Sequence, residues 1–350
     1  MANIDHRPQT SKTLLRDHTL LDKYAQKCTA NNDGGYRRDK STFEHKAKQK
    51  RLTQKLMVGL VNVESTLHVS YWRTYSCGSW LLQSGKRISY RRCKNRWCLD
   101  CNGYRTSKLI NGYLGQIQSM VDPYFVTLSR PNCTWDQLSD EIKYLNDKFG
   151  LIRGWFRTKK NRGLEISLDG IKKFETTYSI DRNDFHPHIH LLVDGRINAY
   201  TLLGQWFRLV DGAGGYGNDI RKADEGSIKE LFKYMTKFWK VESKGNDEKF
   251  IVFPPEVLDH IMKAMKGKQV FKSFGKIKKV DDVVPDDETL DVDGVKDGVY
   301  SWEWDKDSHD WINDDGELFT GYQPNIREQK IYKAIEYSQG IRLKTTNKKQ

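Results

Sequence analysis

Apolar and polar residues follow a strand-like or helix-like pattern in six segments between residues 120 and 280. Short runs rich in β-branched and aromatic residues predict strands over 124–128, 172–178 and 188–193. Apolar residues at helical spacing predict helices over 135–149, 200–210 and 227–241. This order predicts an α+β fold with a central, mostly antiparallel sheet and flanking helices packed on one side.

The amino-acid composition changes at three points along the chain. Residues 1–50 are polar, turn-rich and basic at their end, so we expect a partly flexible N-terminal region. Residues 51–115 contain most of the cysteines, and residues 116–280 form the α+β domain. Residues 281–350 read as an acidic linker followed by a basic tail. The pattern therefore predicts four regions.

Charge is distributed very unevenly. The 350 residues have a net charge of +13, but residues 281–317 contain fifteen Asp or Glu and only two Lys. The remainder of the chain therefore has an excess of 26 positive charges, obtained as +13 − (−13). Such an excess indicates a polyanionic partner, and nucleic acid is the leading candidate. The acidic stretch is interpreted as a solvated linker or, alternatively, as a DNA mimic or a docking site for host proteins.

Hydropathy gives no sign of a membrane segment. No apolar run approaches the length of a bilayer-spanning helix, and no signal-peptide pattern follows Met1. The sequence therefore predicts a cytoplasmic protein without a membrane partner.

Four of the six cysteines have metal-site spacing. Cys93, Cys98 and Cys101 are close together, and Cys77 lies upstream. Four thiolates suit a closed, tetrahedral, structural Zn²⁺ site, and a reducing compartment disfavours the alternative of disulfides. Cys28 and Cys133 read as ordinary small residues. The neighbouring cations predict contacts to DNA phosphates, as does a later basic loop; these candidates are Arg91, Arg92, Lys94 and Arg96, and Lys159, Lys160 and Arg162.

The segment His186-Pro-His188-Ile-His190 carries the strongest chemical signal. On a strand, alternate side chains share a face, so the three imidazoles project to one side. Buried imidazoles need partners, and neutral imidazole is a common ligand of divalent ions. This pattern predicts a metal site on the strand.

A third signal is the predicted helix that contains Tyr234. Glu230, Tyr234 and Lys237 are spaced so that they share one helical face. Beside a metal site, this set indicates phosphodiester transesterification. The Tyr234 hydroxyl attacks phosphorus, Lys237 stabilises negative charge, and Glu230 accepts a proton from water. An alternative role for Glu230 is to position Lys233 or Lys237.

The order of these motifs resembles the HUH endonucleases, and among them the Rep initiators of rolling-circle plasmids that have one tyrosine and an accompanying glutamate. The resemblance covers roughly residues 45–280. Its matching stretches are Cys93-Lys-Asn-Arg-Trp-Cys98-Leu-Asp-Cys101, Phe125-Val-Thr-Leu-Ser129, Phe174-Glu175-Thr-Thr-Tyr178, His186-Pro-His-Ile-His190, Lys233-Tyr234-Met-Thr-Lys237 and residues 267–275.

The resemblance implies specific roles. His188 and His190 would be the paired ligands of a catalytic Mg²⁺ or Mn²⁺, Tyr234 the nucleophile and Glu230 the water-activating residue. The third ligand is Glu175 or His186, and we favour Glu175 because hard ions prefer carboxylate oxygen.

The resemblance also implies a function. The expected activity is the nicking of one strand of plasmid origin DNA, single-stranded or in a hairpin, with host helicase and polymerase as further partners. Alternatives are an HUH transposase or mobilisation relaxase, and a non-enzymatic, zinc-stapled DNA-binding module. Relaxases commonly place the tyrosine before the histidine motif, whereas here it follows.

Overall fold

The computed structural model describes residues 40–233, 237–245 and 247–340. Within these residues the helices are α1 (Lys40–Val61), α2 (His68–Tyr75), α3 (Leu99–Gln118), α4 (Leu138–Asn161), α5 (Arg196–Leu209), α6 (Glu225–Phe232), α7 (Pro255–Met265) and α8 (Ile326–Gly340). The strands are β1 (Trp80–Ser84), β2 (Arg87–Arg91), β3 (Pro123–Ser129), β4 (Gly170–Ser179), β5 (Asp184–Asp194), β6 (Asp219–Lys222), β7 (Trp239–Lys244), β8 (Asp247–Val252), β9 (Phe271–Phe274), β10 (Asp287–Asp291), β11 (Val299–Asp305) and β12 (Asp310–Ile312).

The central sheet has five strands in the order β6-β3-β5-β4-β9, and every neighbouring pair is antiparallel. The three strands predicted from the sequence lie within β3, β4 and β5, the three inner strands. The predicted α+β class with an antiparallel sheet is therefore confirmed.

Helices cover both faces of this sheet, so the prediction of helices on one side is wrong. On one face Val126, Ile189 and Leu191 belong to a core that includes residues of α4, α5 and α7. On the other face Phe125 and Leu192 pack with residues of α3 and α6. The reason is visible in β5, which is buried on both sides along most of its length and therefore needs two apolar layers.

The helix predicted over 227–241 is also wrong in its second half. Asp224 caps α6, since its carboxylate accepts hydrogen bonds from the backbone N–H and the hydroxyl of Ser227. The helix ends at Phe232, and the chain becomes extended at Lys233 (φ −53°, ψ 159°). From Trp239 it forms a strand paired with β8. Aromatic and β-branched residues favour such a strand, and pairing overrides helical spacing.

The predicted helix over 135–149 lies mostly within α4, which begins at Leu138 and continues to Asn161. Gly150 and Gly154 weaken the helical signal in its second half, because glycine has low helix propensity. Burial of Ile152 and Phe156 against the core supports the longer helix. Within the described residues, no helix is both long enough and apolar enough to cross a membrane.

A second five-stranded sheet corrects the prediction of an acidic linker. Strands β10, β11 and β12 come from the acidic stretch and pair with β1 and β2 in the order β10-β2-β1-β11-β12. Trp302, Trp304 and Trp311 face a buried core that also contains Leu81 and Ile88. Alternation explains how so acidic a segment can fold, because most of its carboxylates are exposed while Trp302 and Trp304 are buried. Glu288 and Asp310 are buried exceptions, and both have hydrogen-bond partners.

Candidate metal centres and basic surfaces

The central sheet brings together one carboxylate and two imidazoles. Glu175 on β4 lies directly opposite His188 on β5, and His190 is two residues further along the same face. Ligand atoms of all three lie within 4.8 Å of one another, and all three residues are buried. The two histidine Nε2 atoms are 3.1 Å apart. Two ligands at 90° with bonds of about 2.1 Å would be about 3.0 Å apart, so this pair fits a shared divalent ion.

Hydrogen bonds to the other ring nitrogens support this arrangement. The Nδ1 atom of His188 is 3.0 Å from the carbonyl oxygen of His186, to which it donates. The Nδ1 atom of His190 is 3.1 Å from the hydroxyl of Thr127, which β3 places directly opposite. Partners of this kind orient metal-bound histidines and fix their tautomers. They leave both Nε2 atoms facing the same point.

The protonation states of the three groups also suit a cation. Burial lowers the pKa of His188, and burial together with His188 lowers the pKa of His190 to about 3. Both rings are therefore neutral at pH 7. Burial alone would raise the pKa of Glu175, but Lys173 and His188 outweigh it and lower that pKa to about 2. Neutral imidazoles beside an ionised carboxylate form the donor set that Mg²⁺ and Mn²⁺ accept.

Lys173 is a site residue that the sequence analysis missed. Its side chain is fully buried, and its Nζ donates to Glu175 Oε2 at 2.9 Å and to the carbonyl oxygen of Glu230 at 3.2 Å. The sequence could have predicted this contact, because Lys173 and Glu175 are two residues apart on a predicted strand and their side chains therefore share a face. The Glu175 side chain is buried as well.

His186, the competing third ligand, lies beside the group but outside it. Its Nδ1 atom is 3.0 Å from Asn132 Oδ1, and its ring stacks on that of His188 with centroids 5.2 Å apart. Burial is the main cause that lowers the pKa of His186 to about 4. The geometry thus brings Glu175, rather than His186, to the histidine pair.

Two of the three predicted catalytic residues, Glu230 and Lys237, lie in the part of the chain that the structure describes. Glu230 is on α6, where its carboxylate pairs with Lys233. Lys237 lies beyond the end of α6, with its Nζ 3.9 Å from Glu175 Oε1. Tyr234 lies outside the described residues. Glu230 and Lys237 therefore do not share the predicted helical face, because α6 ends at Phe232.

A second candidate centre consists of Cys77, Cys93, Cys98 and Cys101, whose sulfur atoms lie within 4.8 Å of one another. Cys101 Sγ is 3.6 Å from that of Cys77 and 3.7 Å from that of Cys93. Tetrahedral Zn²⁺ with Zn–S bonds of about 2.3 Å would separate its sulfurs by about 3.8 Å, so the cluster fits this ion. Hydrogen bonds from the other thiols, foremost that of Cys77, lower the pKa of Cys101. All four cysteines are free of disulfides.

The two remaining cysteines take no part in this cluster. Cys133 is a free thiol buried in the main core, as expected of an ordinary small residue. Cys28 lies outside the described residues.

Cations around the cysteine cluster are matched by the acidic stretch. The ion pairs are Arg87–Asp291, Arg91–Asp287, Arg92–Glu288, Lys94–Asp286, Arg105–Asp282 and Lys108–Asp281. We call these six cations the paired basic region. The guanidinium of Arg92 is 1% exposed, so the prediction that it contacts DNA is wrong. Arg96 donates to the carbonyl oxygen of Lys268 at 2.6 Å.

The carboxylates that pair with the paired basic region cancel much of the positive field that would attract a DNA phosphate.

The second set of predicted DNA contacts lies at the end of α4 and beyond. Lys160 and Arg162 are exposed, whereas Lys159 is half-buried with its Nζ 5.6 Å from the centroid of the Trp155 ring. In the part of the chain that the structure describes, none of these three cations forms an ion pair with a carboxylate. Their role in DNA binding stays a prediction.

Comparison with known proteins finds two that are similar in sequence. The chain is similar to proteins named "Protein rep". One, from Staphylococcus aureus, is 26% identical over 187 residues, which covers 49% of this chain and 76% of that protein. Another, from Streptococcus pneumoniae serotype 2 (strain D39 / NCTC 7466), is 26% identical over 134 residues, covering 33% of this chain and 39% of that Rep protein. No family model and no solved structure matches.

Proposed function

We propose that this chain is a plasmid rolling-circle replication initiator that binds origin DNA and nicks one strand by tyrosine transesterification. The observation that carries the proposal is the buried group of Glu175, His188 and His190 on adjacent inner strands. Similarity to the two Rep proteins supports the role in plasmid replication. The surplus of positive charge supports DNA as the partner.

His188, His190 and Glu175 would hold one Mg²⁺ or Mn²⁺ in this proposal. When bound, such an ion withdraws charge from the scissile phosphate and orients it. Lys173 acts through Glu175, because its ammonium fixes one carboxylate oxygen from within the core. The Lys173 ammonium also donates to the backbone carbonyl oxygen of Glu230, which fixes α6 beside the metal centre.

Tyr234 is the proposed nucleophile, by sequence motif. Its hydroxyl gives up a proton to solvent while its oxygen forms a bond to phosphorus. The bond between phosphorus and the 3′ oxygen breaks, and that oxygen takes up a proton. The products are a 5′-phosphotyrosine and a free 3′-hydroxyl. Reversal of the same step rejoins the strand without an external energy source, because the linkage conserves the phosphodiester.

The described residues on each side of Tyr234 support this assignment. Lys237 is within 3.9 Å of Glu175 and can neutralise charge on a bound phosphate. The Glu230 carboxylate pairs with Lys233. This pair agrees with one of the two roles considered for Glu230, that of positioning Lys233 or Lys237. Its side chain remains partly exposed at 29%, so water can reach the carboxylate for a terminating hydrolysis.

Denaturing gels test the proposal. The full chain is incubated with supercoiled plasmid or origin single strands, with Mn²⁺, Mg²⁺ or EDTA, and products are run with and without protease digestion. We expect a metal-dependent nick with protein attached to the 5′ end, and its loss in Tyr234→Phe with DNA binding retained. Tyr337→Phe is the matched control, since Tyr337 is 76% exposed and lies on α8, which contributes no residue to the metal centre.

Two results would contradict the proposal. Nicking by Tyr234→Phe at the rate of the parent would remove the nucleophile assignment. Tight binding with no cleavage of any substrate would instead support the non-enzymatic DNA-binding module, in which the histidines hold a structural ion.

A further inference from the structure

A groove lies along α4, on the side of the central sheet opposite the metal centre. Its volume is about 480 Å³. The groove is lined by α4, by residues 167–169 and by the turn after β9, with the principal side chains being Arg153, Arg157, Lys160, Asp169 and Lys276. Lys172 and Phe174 point to this side of β4, whereas Lys173 and Glu175 point to the metal centre. The groove is therefore a separate surface.

Charge in the groove is strongly unbalanced. Four cations meet one carboxylate, that of Asp169, which already accepts hydrogen bonds from Ser167 Oγ and from the backbone N–H of Lys276, both at 2.7 Å. Across the described ranges, Arg153, Arg157, Lys160 and Lys276 form no ion pair with a carboxylate.

The pKa values of neighbouring cations reflect this imbalance. Burial lowers the pKa of Arg153, and the nearby charge of Arg157 lowers it further. Burial also lowers the pKa of Lys172 to about 8, with added repulsion from Lys272 and Arg153. Repulsion among uncompensated cations is relieved when an anion enters.

The local backbone is built to present these cations. Arg153, Arg157 and Lys160 are spaced so that they share one face of α4. Gly154 lies between them, and a Cβ there would meet no atom within 4 Å, so the helix backbone is open to an approaching ligand. Gly275 has φ +69°, and a Cβ there would be 2.0 Å from Asp169 Oδ1. Only glycine allows this turn, which places Lys276 at the rim.

The aromatic residues of the groove identify the kind of nucleic acid. Phe156 is buried, and Phe274 is buried with the Arg153 guanidinium 5.8 Å from its ring centroid. The described lining therefore has no exposed ring on which an unpaired base can stack, as single-strand binding sites require. Cations without stacking rings suit the phosphate backbone of a duplex.

We propose that this groove binds the phosphate backbone of duplex DNA, on the side of the central sheet opposite the metal centre, and so anchors the protein on the duplex. The proposal rests on the proposed function, in that it takes DNA as the partner. It adds a second DNA surface to the nicking site and assigns Arg153, Arg157 and Lys276 to it together with Lys160.

Salt-dependent binding of a fluorescent duplex tests the groove. The triple variant Arg157→Gln, Lys160→Gln, Lys276→Gln should flatten the slope of log Kobs against log salt by about 2 to 3, because each phosphate contact contributes about 0.9. The matched control is Arg87→Gln, Arg91→Gln, Lys94→Gln, which removes the same charge from the paired basic region. We expect its slope to equal that of the parent protein.

Three outcomes would overturn the proposal: equal slopes for the two triple variants, a flatter slope for the control alone, and an equal loss of affinity for single strands and duplex. If the groove variant has a lower thermal unfolding midpoint, Lys160→Gln and Lys276→Gln are measured separately, each with an expected slope change of about 1.

A parallel assay distinguishes failure of the groove proposal from failure of the proposed nicking activity. Nicking of an origin single strand by the parent protein is assayed in parallel. No nicking together with a flatter slope for the groove variant rejects the nickase and retains the groove. Nicking by the parent protein together with an unchanged slope for the groove variant rejects the groove and retains the nickase.

Discussion

Two basic surfaces of this protein have opposite electrostatic surroundings. Cations of the paired basic region meet carboxylates of the acidic stretch, and Arg92 is buried between Glu288 and Asp100. Cations of the α4 groove share one carboxylate that is already hydrogen-bonded. From sequence the cysteine region and the basic loop that starts at Lys159 were predicted to contact phosphates, and Lys160 is the groove cation that this prediction included. The difference shows that the count of basic residues predicts a polyanion site only where the fold supplies no internal anion.

The paired basic region is accordingly a structural element. Its ion pairs hold the acidic strands against β2 and α3, next to the cysteine cluster. Among these pairs Arg92–Glu288 is buried and is therefore costly to break, because removing one partner leaves an uncompensated charge. Exposed pairs such as Arg91–Asp287 contribute little to stability. The groove has no comparable role in holding two segments together. The following predictions separate these roles.

The largest effect is expected from removal of zinc. Loss of an ion bound by four cysteines should unfold the cysteine region and the second sheet, because closed zinc sites contribute directly to folding, by about 10 kcal/mol or more in small domains. Metal analysis and tryptophan fluorescence with a chelator measure this, since Trp302, Trp304 and Trp311 lie in that sheet. Cys101→Ser should lose the metal. Cys133→Ala, outside the cluster, should keep it.

A smaller but still large effect is expected from Glu288→Gln. Groups that face this carboxylate are Lys46 on α1, Tyr90 on β2, Arg92 after β2 and Asp100 on α3. Neutralisation leaves Arg92 underpaired in the core, which should lower the free energy of unfolding by about 3 kcal/mol. Urea unfolding measures the change. Asp287→Asn, on the exposed side of β10, is the control and should leave the midpoint unchanged.

The pH dependence sharpens this prediction. Burial alone would raise the pKa of Glu288, but Lys46 and Arg92 outweigh it and lower the pKa from 4.5 to about 2. The folded state therefore holds this proton less tightly than the unfolded chain. The stabilisation is complete above pH 4.5 and is lost as the pH falls towards 2. Glu288→Gln should unfold with a shallower acid dependence, and an identical dependence would contradict the buried pair.

A third effect concerns a paired cation of the central sheet. Lys173→Met removes the ammonium that holds Glu175 and should weaken Mn²⁺ binding by about 10- to 100-fold, as loss of outer-shell partners does. Calorimetric titration with Mn²⁺ measures the affinity. Lys172→Met is the neighbouring control, because Lys172 points to the opposite side of β4 and contacts Asn146. Equal affinities for both variants would show that Lys173 does not position Glu175.

The smallest effect is expected where pairing is exposed to solvent. Arg91 is 89% exposed and lies 3.7 Å from Asp287, so Arg91→Gln should change the free energy of unfolding by less than about 0.5 kcal/mol. It should also leave duplex binding unchanged, in contrast to Arg157→Gln in the groove. Thermal unfolding and fluorescence anisotropy measure the two quantities. A loss of affinity equal to that of Arg157→Gln would remove the distinction between the surfaces.

Much of the central domain could be predicted from the sequence. Residue type located β3, β4 and β5, because a strand that is buried on both faces of a sheet needs a short run of β-branched and aromatic side chains. The same pattern put His188, His190 and Glu175 on strands. It could not show that β4 lies next to β5 with Glu175 opposite His188, since register depends on which strands pair.

Segments that depend on distant partners were not predictable in this way. Residues 239–244 follow helical spacing on from α6, yet they pair with β8 as a strand. Strands β10 to β12 carry so many carboxylates that local composition favours a linker. The partner of β10 is β2 and that of β11 is β1, about 200 residues earlier in the chain, and β12 pairs with β11. No local pattern encodes such a pairing.

Taken by itself, the sequence determined the α+β class, the inner strands of the central sheet, the cysteine spacing and the histidine motif, because these depend on local periodicity and residue type. Only the tertiary structure decided that Lys173 holds Glu175, that the acidic stretch completes a second sheet, and which basic residues lack an acidic partner. Each of these is a contact between residues that the fold brings together, and its energy depends on burial and distance rather than on order along the chain.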